Sequence, residues 1–276
     1  INPSSVFFRY RWFLSITDAC LADRALHQMD IESLMFASSY TCVAGFEAFT
    51  AARVQQMVAD HSQSFLGELP PTLFNDGALS VPGAASHVND TRENLEIAIH
   101  VSVLHIVSPV LVKHWRAVYH RRDEEWTKAR DMAVKRKPSP ADFAVEKSIL
   151  PGATERAVAQ LELLDRAAAS PFALMLIAHS ALEQLMGSTG RVQNGSAPRS
   201  VSGDSSTMTA DDLLPLTAYV LSKTSLKHLS STVAFVRAFG LHHVELSALG
   251  YSFTTVEAAS QLFDRGLACF CVGFVD

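Results

Sequence analysis

Two neighbouring acids and a proline carry the first chemical signal in the stretch Thr209-Ala-Asp-Asp-Leu-Leu-Pro-Leu-Thr-Ala-Tyr-Val-Leu-Ser-Lys223. Thr209 with Asp212 three residues on makes a capping box, which predicts a helix starting here. Asp211 and Asp212 then sit in the first turn, where the helix macrodipole favours a carboxylate by ~0.3–1 kcal/mol. Pro215 breaks the pattern: it removes the hydrogen bond to the Asp211 carbonyl and crowds that turn, at about 3 kcal/mol. A kink is therefore expected beside two acids, and such local conflicts concentrate at functional sites. The second signal is Leu249-Gly-Tyr-Ser-Phe-Thr-Thr-Val-Glu-Ala-Ala259. Thr254 with Glu257 predicts a helix beginning at that point, and Gly250 allows a turn that sets Tyr251 just outside it.

Other chemistry has little to stand on. Motifs for zinc hydrolysis, the nucleophile elbow, the phosphate-binding loop and the dinucleotide fold are all missing. His100 and His105 lie five apart, off a common helical face, and Glu96 offers His100 a single carboxylate, so the histidines read as structural or surface groups. Cys20, Cys42, Cys269 and Cys271 show no CxxC spacing and read as reduced thiols, Cys269 and Cys271 as apolar packing. No metal and no cofactor is expected.

Composition narrows the classes further. With 48% hydrophobic residues the chain can bury a large core, which excludes disorder as its overall state. A net charge of −5 argues against a general nucleic-acid binder or a binder of acidic lipid surfaces. The charge-free runs Ile97 to Val112 and Ala167 to Leu182 have 16 residues each, below the roughly 20 that span a bilayer, and read as buried helices. The chain opens on Ile without a basic, then apolar, leader, so no signal peptide is expected and a piece of a longer polypeptide is.

The elements that must position these residues are helical throughout. Ala157, Val158, Leu161, Leu164 and Ala168 recur at three and four residues, and Ile31 to about Met57 and Glu93 to Tyr119 extend the same period over longer, nearly all-apolar stretches. Asp90 with Glu93 supplies the start of the latter. No stretch alternates as a strand would, so the fold class is all-α. Gly67 to Asn89, rich in Pro and Gly, reads as a long loop, and Lys135-Arg-Lys-Pro-Ser-Pro140 as a solvated basic connector. From Gly187 to Thr209, 13 of 23 residues are Gly, Ser or Thr, a composition expected to stay flexible. The expected organisation is a helical region with a long loop over 1–90, a helical bundle over 91–168, and a core over 169–276 with 187–209 as an insertion.

Together, Ala210 to Pro215 and Gly250 to Thr254, with Leu229 to Phe239 as the intervening helix, resemble the Vps-nine (vacuolar protein sorting nine) domain family. The pattern of Glu245 to Ala259 is most similar to an ankyrin-repeat member, and weaker similarity runs back to Glu93. The resemblance implies a layered all-α domain that acts as a guanine-nucleotide exchange factor, without covalent chemistry, on a Rab GTPase of the Rab-five or Rab-twenty-one kind. It implies Asp211 as an acidic finger and Asp212, Pro215, Gly250, Tyr251 and Thr254 as partner-binding positions. It also implies a cytoplasmic protein recruited to endosomal membranes through its partners, with no nucleic acid bound. The alternative is a catalytically silent adaptor that holds GTP-loaded Rab. Two departures from the family bear on GTPase selectivity: Ser252 stands where many members have Tyr, and an upstream Gly-Glu pair is missing.

Overall fold

Every element described by the computed structural model is a helix or a helical turn, over residues 23–39, 43–68, 88–143, 145, 152–166, 170–187, 210–240 and 248–264. The helices are α1 (Asp23–Ser39), α2 (Glu47–Glu68), α3 (Val88–Val118), α4 (His120–Lys135), α5 (Ala153–Leu161), α6 (Leu163–Arg166), α7 (Pro171–Met186), α8 (Ala210–Lys223), α9 (Leu229–Phe239) and α10 (Ala248–Asp264). A 3-10 turn spans Pro140–Phe143. No strand occurs among the described residues, as expected of an all-α chain. These residues fall into two compact units. One lies within Ile1–Val118, Ala168–Ala173 and Ala234–Ala248, the other within Tyr119–Ala167, Leu174–Val233 and Leu249–Asp276.

In the first unit α1 and α2 pack on α3. The α3 residues Ile99, Val103, Val107, Leu111 and Trp115 are buried at a spacing of four, while His105, Pro109, Lys113 and Ala117 are exposed at the same spacing. The helix is thus one-sided rather than apolar all round. That explains Pro109: the carbonyl it leaves without a helical donor is that of His105, on the wet face, where water can bond it. Ile97 to Val118 is long and apolar enough to cross a membrane by length and composition, yet half of it is buried in the protein. Trp115 lies edge-on to Phe235 and Phe239, 6.1 and 5.0 Å between centroids, and His100 Nε2 lies 3.1 Å from the Phe239 carbonyl oxygen. His100 is thus a packing histidine.

Three expectations on boundaries need correction. The period from Ile31 to Met57 is two helices, α1 and α2, divided by a turn in which Gly45 takes φ +88°, a left-handed conformation that favours glycine. The third helix begins at Val88, two residues before the anticipated Asp90 cap. The run Ala157 to Leu164 breaks at Glu162, although Ala157, Leu161 and Leu164 all stay buried across the break. The span expected as a loop, 67–89, is helical at Gly67–Glu68 and Val88–Asn89; 69–87 lies outside the described residues, as do Ala168, 188–209 and all four cysteines.

The second unit centres on α8, which packs against α4, α5 and the 3-10 turn. Its link to α9 is held by side chains remote in sequence. Glu162 Oε1 accepts from the Ser225 N–H and hydroxyl at 3.1 and 2.8 Å. Asp165 accepts from the N–H groups of Lys227 and His228 at 2.6 and 3.0 Å. Trp126 Nε1 donates to the Leu226 carbonyl at 3.1 Å, and Arg130 donates to the same oxygen. Buried Asp123 accepts from Ser231 N–H at 2.9 Å. Ser231 is the third residue of α9, so this carboxylate satisfies one of the free donors that a helix start leaves. Asp123→Ala strands that donor and is expected to cost about 1–3 kcal/mol. A urea midpoint equal to that of the unsubstituted chain would show that the cap contributes nothing.

The basic connector after α4 is a turn, as expected. Asp142 Oδ2 accepts from the Ser139 N–H and hydroxyl at 2.6 and 2.8 Å. These bonds, the backbone one foremost, hold its carboxyl below the ordinary value of 3.8. A lowered folded-state pKa adds stability that is present above the unfolded value and lost as pH falls through the folded one. The turn is therefore fully capped at neutral pH and weakens only in acid.

Candidate functional site

The Asp-Asp-Pro motif and the Gly-Tyr motif stand on α8 and α10, both in the second unit. Asp211 and Asp212 are the second and third residues of α8, in the first turn, where backbone N–H groups lack helical acceptors. Thr209, the expected cap, lies outside the described residues. The helix continues through Pro215 to Lys223. Most of the described side chains of α8 are buried, including Leu213, Leu216, Thr217, Ala218, Val220 and Leu221. Among the residues of α8 whose side chains are described, the least covered are Asp212, Leu214, Pro215, Tyr219 and Lys223; four of these recur at three and four residues and form one stripe. Thr217 donates its hydroxyl to the Leu213 carbonyl at 2.7 Å, inside the buried side.

The helix expected to start at Thr254 begins at Ala248, so the capping-box reading of Thr254 and Glu257 is corrected. Thr254 lies in the second turn, where its backbone N–H is already committed to the helical ladder. Gly250 and Tyr251 are inside the helix, not in a turn before it. A helical glycine costs about 1 kcal/mol relative to alanine, and Gly250 is one of the buried positions of α10. Leu249, Ser252, Phe253, Thr255, Val256, Ala259 and Phe263 are the other buried positions. Tyr251, 47% exposed, and the exposed Thr254 stand one turn apart on the outer face. The revised helix start therefore places the two motif side chains together on one surface.

Packing ties both helices into the same unit. The Phe143 ring lies 5.8 Å from Tyr219 of α8 and 6.5 Å from Phe263 of α10, centroid to centroid. Trp126 meets Phe263 edge-on at 4.9 Å. These rings hold the C-terminal halves of the two helices, leaving the motifs on their N-terminal halves.

His179 is the neighbour that sequence reasoning passed over. Its Nδ1 lies 2.9 Å from Ser252 Oγ, both groups buried, and its Nε2 lies 3.3 Å from Glu183. Its only advance signal was an imidazole in the charge-free Ala167 to Leu182 run. Ser252, 1% exposed, faces this histidine rather than solvent. Ser252→Tyr is thus expected to overpack the α7–α10 contact and cost about 1–3 kcal/mol. Chemical denaturation of the variant measures this, and unchanged stability would contradict it. Among the described residues no group of three or more His, Cys, Asp or Glu is placed to hold a metal ion.

Residues 154–266 match the family described as the Vacuolar sorting protein 9 (VPS9) domain. The match begins in α5 and closes just beyond α10, so it takes in both motif helices and covers under half of the chain. No match is found among curated proteins.

Proposed function

We propose, from the VPS9 domain carried by residues 154–266, that this chain promotes GDP release from a Rab GTPase of the Rab-five or Rab-twenty-one kind at endosomal membranes. A VPS9 domain indicates Rab exchange-type activity in trafficking, which requires no covalent step. The observation that carries the reading further is the pairing on α10, where Tyr251 and Thr254 share an exposed face within the matched region. An exposed aromatic beside a hydroxyl offers an anchor and a hydrogen bond to a protein surface. The resemblance of the Glu245 to Ala259 pattern to the ankyrin-repeat member Varp supports placing the chain beside that member.

The chemistry assigned to Asp211 follows from how such a GTPase holds its nucleotide. A lysine of the phosphate-binding loop and a Mg²⁺ ion neutralise the phosphates. A carboxylate brought to that place repels phosphate and pairs with the lysine once phosphate has left. Asp212 and Pro215 support the finger as partner-binding positions, Gly250 is a third such position, and Tyr251 and Thr254 bind the switch loops. Equal affinity for filled and empty GTPase would move nothing, so the carboxylate acts only through its preference for the empty form. Fluorescent-GDP release from Rab-five, Rab-twenty-one and Rab-twenty-two relatives tests the proposal. Acceleration of at least one is expected, and release at the intrinsic rate across the panel would refute it.

A further inference from the structure

We propose that the basic tip formed by the end of α4 and the connector after it is a direct contact for an anionic phospholipid surface. The acidic net charge of the whole chain argues against binding acidic lipid surfaces, and the family resemblance implies attachment through partners, but charge acts locally within a Debye length of about 8–10 Å. Lys135, Arg136 and Lys137 are consecutive and exposed, and none has an ion pair or side-chain hydrogen bond among the described residues. Lys223 adds a fourth cation at the same place: its Nζ donates to the carbonyl of Pro138 at 3.0 Å and lies 5.1 Å from the Tyr219 ring centroid. The nearby acids offer little opposition. Asp131 is bound to Arg130 at 2.6 Å, and Asp142 is turned to Ser139.

Two further features separate this tip from an ordinary solvated turn. Met132 and Val134 are 59% and 46% exposed, so large apolar side chains flank the cations within the same few residues. Cations that approach anionic headgroups beside apolar groups able to enter the interface are what such a surface takes up. Lys137 also holds φ +50°, the left-handed conformation, at the position after the helix cap where glycine is the usual residue. A lysine there keeps a positive charge at the expense of backbone strain. The surface that fits this tip is a phosphatidylserine-type bilayer. The proposal stands apart from the exchange reading because it concerns the chain alone, without a GTPase.

Flotation of the chain with vesicles tests it, using phosphatidylcholine alone and phosphatidylcholine with one-third phosphatidylserine. Binding is expected only to the mixed vesicles and should fall as salt rises. Combining Lys135→Ser, Arg136→Ser and Lys137→Asn, the last chosen because asparagine accepts a left-handed backbone, should weaken partitioning by about 100-fold. Lys135→Arg with Lys137→Arg should retain it. Urea midpoints confirm that the variants are folded. Absence of wild-type flotation, or equal flotation of the triple variant, overturns the proposal. So does capture of soluble inositol phosphates without vesicle binding. If vesicles are ignored while the triple variant loses GDP-release activity in solution, the tip faces the GTPase instead. Release activity that is intact beside lost flotation supports the membrane contact.

Discussion

Asp211→Ala is expected to weaken binding to a nucleotide-free Rab-five-type GTPase by about 2–5 kcal/mol and to bring GDP release close to the intrinsic rate. The size follows from what truncation leaves behind. With the carboxylate gone, the lysine of the GTPase phosphate loop is enclosed by the partner with no counter-charge, and an unpaired charge in a closed interface is costly. Asp212→Ala should do less, because Asp212 is assigned a supporting role. Binding to the nucleotide-loaded GTPase should change little, since the carboxylate is assigned no partner there. Isothermal titration with the empty GTPase, beside fluorescent-GDP release, measures both effects. Undiminished affinity in the Asp211 variant would remove the finger from this residue.

The largest expected effect on folding is that of Trp126→Ala, at about 3–5 kcal/mol. Trp126 is 1% exposed and makes two connections at once. Its ring lies edge-on to Phe263 and so fixes the end of α10, while its Nε1–H donates to Leu226 in the link between α8 and α9. Alanine removes the ring contact, opens a cavity, and leaves that carbonyl to Arg130 alone. Typical domains are stable by about 5–15 kcal/mol, so a large share of the unit's stability depends on this side chain. Urea unfolding followed by far-UV circular dichroism reads the change. A loss under about 1 kcal/mol would mean that the surroundings collapse onto the cavity and that the ring is not needed.

Much of the helical framework could be read from spacing, and the helix over Leu229 to Phe239 from the family resemblance. The helix expected over Leu229 to Phe239 has those bounds, and α8 runs through Pro215 to Lys223. Where the reading failed, the periodicity itself misled. Buried positions keep their phase across the break at Glu162, so Ala157, Leu161 and Leu164 look like one helix although they belong to two. The chain between Ile31 and Met57 stays apolar through a turn that only Gly45 betrays. Thr254 and Glu257 match a cap by type and spacing, but α10 had already started six residues earlier. A cap signal counts only where backbone donors are free, and spacing alone does not show that. Nor could spacing find Asp123, Glu162 and Asp165, because each bonds backbone N–H groups more than sixty residues away. The exposed pairing of Tyr251 with Thr254 was half legible: the residues were marked, and the earlier helix start supplies their common face.

The claim on which the functional account rests is preference for the empty GTPase, and it also separates an exchange factor from a silent adaptor. Because coupling between two ligands of one protein is reciprocal, whatever expels nucleotide must itself be expelled by nucleotide. The direct measurement is the dissociation constant of this chain for one responsive Rab in its nucleotide-free, GDP-bound and GTP-bound forms. The account predicts tightest binding to the nucleotide-free form, with release on adding either nucleotide; tightest binding to the GTP-bound form would contradict it.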